Sequence, residues 1–254
     1  MNKSTTAFLA MLAAAMVIGG CENPGKTDNE YIEIFDGKTL NGWEGDTVYW
    51  RVENGNLVGE VTPESLLKRN SFIIWRGGTV EDFDLRFQYR ITRNGNSGIN
   101  YRSEEVKGIH YALRGYQGDI DGYDNKPYTG MNYEERRRTT IAKRGQKVEL
   151  PAMPAGDSLQ QHIKDNVWLL SVVTGSVGND DSLKSLIKAP GNWNDYRIIA
   201  NGNHLQHFVN GVLMSDVTDN DPANASASGL LGVQVHVGPP MKVEFRHFLL
   251  KHLK

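Results

Sequence analysis

Between Phe83 and Ile91 the chain alternates apolar and polar side chains at every second residue. The apolar members of this stretch share one face, and they are Phe83, Leu85, Phe87, Tyr89 and Ile91. A period of two fits an extended strand with one buried face and does not fit a helix, whose period is about 3.6 residues. Because such a strand needs a sheet and a second apolar layer to cover it, the sequence predicts a layered β structure.

Further segments of the chain show the same alternation. Apolar residues between Leu231 and Val237 leave Gln234 and His236 together on the opposite face. Residues 243–250 predict a closing strand that pairs deep in a sheet. These patterns predict that most of the chain is strand.

Turn signals separate the predicted strands. Asn54-Gly55 and Asn210-Gly211 are typical of tight β-hairpins. Residues 63–70 predict a single helical turn, and residues 159–188 predict a short helix. We find no internal repeat and no linker after Tyr31, so we expect one all-β sandwich domain over residues 31–254 with a short helical insertion.

The first thirty residues have a different composition. Lys3 precedes an apolar run over residues 7–18, which ends in Gly19, Gly20 and Cys21. The run is too short to span a bilayer and indicates a lipoprotein signal peptide over residues 1–20, with lipidation of Cys21; an ordinary signal peptide cut nearby is the alternative. Residues 21–30 then form a polar tether. We expect an exported bacterial-type lipoprotein of the cell envelope, on its periplasmic or surface face.

The charge balance and the missing motifs exclude several classes of protein. Twenty-eight Lys and Arg residues oppose 30 Asp and Glu residues, for a net charge of -2. No basic stripe predicts nucleic-acid binding, and we expect membrane contact only through the lipid anchor. The sequence has no phosphate-binding loop, nucleophile elbow, zinc helix or calcium loop. Its seven histidines are dispersed, so spacing alone predicts no metal site.

Residues 115–138 are too polar for a core and too aromatic for a disordered linker. They combine turn residues with charges and with four tyrosines, at positions 116, 123, 128 and 133. Flat rings beside polar groups suit a sugar, although a long surface loop is the alternative interpretation. Glu134 and Glu135 are adjacent, so only one of them faces a given site if the segment is extended; a solvated charged face is the alternative.

Other candidate residues lie far from this stretch in sequence. Alternation after Gly98 is expected to send Asn100 and Arg102 to one face. His236 shares a face with Gln234, which indicates either a site or an exposed pair on the outer sheet. His207, on the strand that enters the second hairpin, is equally open to both interpretations.

An ordered set of short motifs connects these places. The motifs cover residues 34–43, 50–57, 96–102, 115–120, 133–138, 191–196, 209–211 and 234–238. Together they resemble the 3-keto-disaccharide hydrolase family over nearly all of residues 31–253. The resemblance implies a concanavalin-like jelly-roll sandwich of two curved antiparallel sheets with a concave groove. It also implies substrates whose sugar carries a ketone at carbon 3. This chain departs from the family pattern at Gly118, where alanine is common.

The implied chemistry assigns roles to the candidate residues. A ketone at carbon 3 acidifies the hydrogen on carbon 2, so a base can remove it and the group on carbon 1 can leave. The resemblance suggests His236 or Glu135 as the base and Asp119 as the acid or a metal ligand. The residues expected to bind the substrate are Asn96, Arg102, Tyr116, Gln117, Arg137, His207 and Gln234. Enolate stabilisation by Arg102, by Arg137 or by a divalent metal is open, and no cofactor is certain.

A non-catalytic function is the alternative. A jelly roll on a lipoprotein could bind glycans through aromatic side chains alone, because this fold serves lectins as well as enzymes. The carboxylates and His236 favour an enzyme, since binding does not require them. Either function predicts a small-molecule carbohydrate as the partner.

Overall fold

The computed structural model describes residues 1, 30–124, 126, 128–154, 156, 158–165 and 171–254. The predicted signal peptide, Cys21 and nearly all of the predicted tether lie outside the described residues. No helix in the described part of the chain is long and apolar enough to cross a membrane.

The described residues form seventeen strands and two short helices in chain order. The strands are β1 Ile32–Glu33, β2 Trp43–Glu44, β3 Trp50–Glu53, β4 Asn56–Val61, β5 Ser71–Trp75, β6 Phe83–Ile91, β7 Asn96–Glu105, β8 Leu113–Asp121, β9 Asn132–Glu135, β10 Thr139–Ala142, β11 Gln146–Leu150, β12 Val172–Ser176, β13 Asn194–Asn201, β14 His204–Val209, β15 Val212–Asp219, β16 Leu230–Val235 and β17 Met241–His252. The helices are α1 Leu159–Asp165 and α2 Asp180–Lys184.

The strands form two sheets. The larger has the order β12-β11-β15-β14-β13-β6-β17-β4-β3, with β1 added on β17, and the smaller has the order β10-β9-β8-β7-β16-β5-β2. Neighbouring strands are antiparallel except β11 and β15, which are parallel. This architecture confirms the predicted all-β jelly-roll sandwich with a short helical insertion.

One apolar core joins the two sheets. It contains Phe83 and Phe87 from the larger sheet and Tyr101 and Tyr116 from the smaller one, all almost fully buried. The ring centroids of Phe83 and Tyr101 are 5.7 Å apart, which is an aromatic contact between the sheets. The larger sheet therefore packs against the inner face of the smaller sheet.

Several local predictions are confirmed. The alternating stretch 83–91 is β6, with its apolar residues buried, and both Asn-Gly dipeptides connect paired strands. The closing strand, β17, lies between β6 and β4 in the interior of the larger sheet. The predicted helix in residues 159–188 is present as α1 and α2, whereas residues 63–70 contain turns but no helix.

The smaller sheet separates core residues from site residues along each strand. In β8, Tyr116 and Ile120 belong to the core, and Gly118 points the same way because a Cβ there would lie 2.7 Å from the hydroxyl of Tyr196 on β13. Gln117 and Asp119 alternate with them and face the other side of the sheet. The outer face of the smaller sheet is therefore where polar side chains collect.

Candidate functional site

A cavity of about 490 Å³ lies over the outer face of the smaller sheet. Strands β7 to β10, the end of β16 and the adjoining turns supply its walls. Its lining residues are Asn70, Asn96, Gln117, Asp119, Tyr128, Met131, Tyr133, Glu135, Arg136, Arg137, Thr139, Thr140 and His236. The structure thus brings together six of the residues expected from sequence: Asn96, Gln117, Asp119, Glu135, Arg137 and His236.

A row of amides leads to Asp119. Gln234 Nε2 donates to Gln117 Oε1 at 3.1 Å, and Gln117 Nε2 donates to Asp119 Oδ1 at 2.7 Å. Gly98, on β7 between β8 and β16, makes room for this row, because a Cβ at Gly98 would lie 2.6 Å from Gln117 Cδ. The side chain of Asp119 is therefore held in one orientation.

The surroundings of Asp119 favour its protonated form. Burial raises the pKa of Asp119 well above its usual value, against the opposing hydrogen bond from Gln117. The neighbouring carboxyl groups of Asp121 and Glu135 raise this pKa further. Asp119 therefore suits the role of a proton donor.

Glu135 lies at the end of β9 and is almost fully buried. Its Oε1 accepts a hydrogen bond from Asn70 Nδ2 at 3.3 Å and lies 3.7 Å from Arg136 Nε. Burial raises the pKa of Glu135, although the charge of Arg136 and the amides of Asn70 and Gln234 act in the opposite direction. Two carboxyl groups with raised pKa values therefore share this cavity.

His236 follows the last residue of β16 and lines the same cavity. Its Nδ1 bonds the carbonyl oxygen of Val237, which can only accept, so Nδ1 carries the proton and Nε2 keeps a lone pair. Burial lowers the pKa of His236 below its usual value of 6.5. The imidazole is therefore neutral near neutral pH and can act as a base.

Asn70 connects the histidine side of the cavity to the carboxylate side. Its Oδ1 accepts a hydrogen bond from the backbone N–H of Val237 at 2.9 Å, and its Nδ2 donates to Glu135. This one amide therefore fixes the backbone beside His236 relative to β9.

Three successive arginines follow β9, and their surroundings differ. Arg136 and Arg137 line the cavity, whereas Arg138 is fully buried and bonds Glu134 and Asp219. Arg137 Nη1 donates to Ser226 Oγ at 3.1 Å. Only Arg136 and Arg137 can therefore contact a ligand in this cavity.

Four residues expected to bind the substrate do not line the cavity, and Arg102 is the clearest case. A bulge in β7 gives Arg102 a left-handed backbone with φ of 45°, which breaks the alternation expected from Asn100. Its guanidinium pairs with Asp82 at 2.9 Å and donates to the carbonyl groups of Glu81 and Gly202. Arg102 therefore joins loops at the edge of the sandwich.

Tyr116, His207 and Gln234 are also buried and do not line the cavity. Tyr116 stacks on Tyr101 and its hydroxyl bonds Asp219. Gln234 donates to Gln117 across Gly98 and is 0% exposed. These side chains hold the residues that line the cavity rather than lining it themselves.

His207 is fully buried between the two sheets. Its Nδ1 donates to the carbonyl oxygen of Met131 at 3.0 Å, so its Nε2 accepts from the hydroxyl of Tyr101, also at 3.0 Å. Burial lowers the pKa of His207 to about 4, which keeps it neutral. His207 thereby fixes Met131, a residue of the cavity wall.

The structure adds lining residues that the sequence did not single out for the site. They are Asn70, Met131, Arg136, Thr139 and Thr140. Tyr128 and Tyr133, two of the four tyrosines expected to suit a sugar, also line the cavity. No local pattern identifies Asn70, because it reaches the site from a connection without periodicity.

The residues present do not form a recognisable metal site. Among the described residues, no group of three or more His, Cys, Asp or Glu side chains is arranged to hold a metal ion. We therefore derive no chemical step through a metal.

The fold and the cavity define a class of structure, a β-sandwich with a polar site on one sheet. Residues 30–251 match the family described as the 3-keto-alpha-glucoside-1,2-lyase-like domain. The chain therefore belongs to this family, which confirms the resemblance seen in its sequence motifs.

The chain is also similar in sequence to one known protein over a short stretch and in fold to solved structures. A 3-keto-disaccharide hydrolase of Bacteroides thetaiotaomicron is 36% identical over 83 residues, which are 30% of this chain and 28% of that protein. Two crystal structures of candidate glycosyl hydrolases from Parabacteroides distasonis are similar in fold, each with a TM-score of 0.55. They are 17% and 20% identical to this chain, each covers 89% of it, and the matches span 100% and 95% of those chains.

Proposed function

We propose that this protein cleaves the glycosidic bond of 3-keto-glycosides, including 3-keto-disaccharides, by elimination with or without later addition of water. The single observation that carries the proposal is that His236 and Asp119 line one cavity, where burial lowers the pKa of the imidazole and raises the pKa of the carboxyl group. Elimination beside a ketone requires both groups, whereas simple binding requires neither.

The first step removes a proton from the sugar. His236 Nε2 takes the hydrogen of carbon 2, and the electrons of that C–H bond form a double bond to carbon 3. The electron pair of the ketone moves to its oxygen and produces an enolate. We assign His236 as the base in preference to Glu135, because its lone pair is free at neutral pH while burial favours the protonated form of Glu135.

The second step releases the group on carbon 1. The enolate electrons re-form the ketone, and a double bond forms between carbons 1 and 2. The bond from carbon 1 to the glycosidic oxygen breaks. Asp119 gives its proton to the departing oxygen. Addition of water across the new double bond then completes a net hydrolysis. This route needs no oxocarbenium ion, so the carboxylate spacing of ordinary glycosidases does not apply.

Replacement of His236 tests the proposal. We expect His236→Ala to lower kcat on a 3-keto-glucoside at least about 100-fold, the range of a well-placed general base, with an unchanged melting temperature. His252→Ala is the matched control, because that histidine is exposed at the end of β17 and does not line the cavity. Full activity of His236→Ala would refute His236 as the base. A greater loss of activity in Glu135→Gln would indicate that Glu135 is the base.

A glycan-binding protein without catalysis is the second candidate, because Tyr128 and Tyr133 place two rings in the cavity wall. Incubation with an ordinary disaccharide and with its 3-keto form, each with and without a chelator, separates the candidates. Binding of both sugars without product would favour the binding protein. Product from the unoxidised sugar would indicate a conventional glycosidase.

A further inference from the structure

We propose that Arg136 is a catalytic residue whose guanidinium stabilises the negative charge that develops on the ketone oxygen when carbon 2 loses its proton. This inference rests on the proposed function and adds a residue that the sequence motifs did not single out for this role.

Arg136 has hydrogen-bonding capacity that the described residues do not use. Its Nε is buried and has no hydrogen-bond partner among the described residues. Its contact with Glu135 Oε1, at 3.7 Å, is beyond hydrogen-bonding distance. Because Nε is buried even in the open cavity, a ligand oxygen would meet the outer nitrogens of the same guanidinium. The positive charge is delocalised over all three nitrogens, so an anion at the outer nitrogens interacts with the whole group.

The backbone holds Arg136 at this place. Its φ of 56° is left-handed, a conformation that an arginine rarely adopts, and it occurs directly after the last residue of β9. Strained backbone of this kind persists where the surrounding structure fixes it, as it often does in active sites. The side chain is 33% exposed, so its remaining nitrogens are accessible from the cavity.

The other arginines near the site are engaged elsewhere. Arg137 bonds Ser226 and lies 3.6 Å from Glu134, a carboxylate on the core side of β9. Arg138 and Arg102 are buried with partners of their own. Among the described residues, Arg136 is thus the cavity-lining arginine without a hydrogen bond to the protein.

The charges of the resting cavity fit this role. Burial lowers the pKa of His236 and raises the pKa values of Asp119 and Glu135, so these three groups favour their neutral forms and the guanidinium groups dominate the local potential. During proton removal His236 becomes a cation while the ketone oxygen becomes an anion. A fixed cation beside that oxygen acts on charge that exists only after the reaction begins, which lowers the barrier rather than tightening binding.

The test compares Arg136→Met with Arg136→Lys on a 3-keto-glucoside. We expect Arg136→Met to lower kcat about 100-fold, the cost of one oxyanion donor, with a much smaller change in KM. A substrate deuterated at carbon 2 should show a larger isotope effect in Arg136→Met than in the wild type, because proton removal becomes slower. Arg136→Lys should recover part of kcat. A rise in KM with unchanged kcat would overturn the proposal.

A double variant separates direct action from action through Glu135. In a Glu135→Gln background, Arg136→Met should still lower kcat by a similar factor. Loss of that effect would show that Arg136 acts only on Glu135 and would overturn its catalytic role. Failure of the wild type to convert the 3-keto-glucoside would refute the proposed function. Normal conversion by both the wild type and Arg136→Met would refute only the role of Arg136.

Discussion

Glu134 and Glu135 are adjacent carboxylates with opposite surroundings. Successive side chains of a strand point to opposite sides, so Glu135 lines the cavity while Glu134 lies in the core and pairs with Arg138 at 2.5 Å. Sequence parity predicted that only one would face the site, but parity alone could not choose between them. The choice depends on the partner strand β8, which places Glu134 opposite Tyr116.

The glycine at position 118 is expected to be necessary for the packing of this chain. We expect Gly118→Ala to destabilise the protein by about 1–3 kcal/mol, because a Cβ there would lie 2.7 Å from the hydroxyl of the fully buried Tyr196. Urea unfolding measures the change. Gly175→Ala is the control, since its Cβ would be 3.7 Å from the nearest atom on an exposed strand. Equal stability of the two variants would contradict this prediction.

Under the proposed mechanism, protonation of His236 sets the acid limit of activity. The proposed base works only when neutral, and burial lowers its pKa below 6.5. Activity should therefore persist as the pH falls through 6.5 and decline only below it. The measurement is kcat/KM for a 3-keto-glucoside against pH, with preincubation at each pH to exclude unfolding. An acid midpoint at or above 6.5 would show that another group controls this limit.

At the scale of elements, the turn between β9 and β10 connects the protein core to the candidate site. Its first two arginines line the cavity, and the third, Arg138, is anchored by Glu134 and by Asp219 on β15 at 2.7 Å. The buried ion pairs therefore fix a turn that also presents Arg136. Because of this arrangement, the position of the cavity-lining arginines depends on a network of residues that do not line the cavity themselves.

We expect Arg138→Met to cost about 3–5 kcal/mol, because it would leave the carboxylates of Glu134 and Asp219 buried without their counterion. Chemical denaturation gives the free energy of unfolding. Arg114→Met removes an exposed pair with Glu104 and should cost less than about 1 kcal/mol. A loss no larger for Arg138 than for Arg114 would contradict the structural role of this network.

Elements with regular periodicity were predictable, and this site was predictable only in part. β6 has the bounds of its alternating stretch, because one buried face leaves a period of two in the sequence. Arg102 could not be placed, since a bulge in β7 reverses its direction without an evident sequence signal. Gln234 was expected to contact the sugar, but the pairing of β16 with β7 places it beside Gly98, where it is buried against Gln117. The positions of these two side chains depend on the register between strands far apart in sequence.

At the scale of the whole molecule, one core spans both sheets. We therefore expect residues 31–254 to unfold in a single cooperative transition, as a single domain does. Near-ultraviolet circular dichroism reports the buried aromatic rings, and far-ultraviolet circular dichroism reports the strands. Coincident transitions are the expected result, and two separate midpoints would indicate two domains.

We also propose that Cys21 carries a lipid that anchors the protein in the cell envelope. Cys21→Ser should move the protein from the membrane fraction to the soluble fraction after export and abolish labelling with a radioactive fatty acid. Activity on a soluble substrate should be unchanged, because the cavity is built from residues 70–236. A variant that stays in the membrane fraction would refute the anchor.

The space left by the missing side chain of Gly98 has a further consequence for Asp119. The amides of Gln234 and Gln117 are aligned head to tail, so neither can flip without breaking the bond of the other. Oδ1 of Asp119 receives the N–H at the end of this row and must behave as the carbonyl oxygen of the acid. In the protonated acid the hydrogen is therefore on Oδ2. Under the proposed mechanism, the missing side chain of Gly98 thus determines which oxygen of Asp119 delivers the proton.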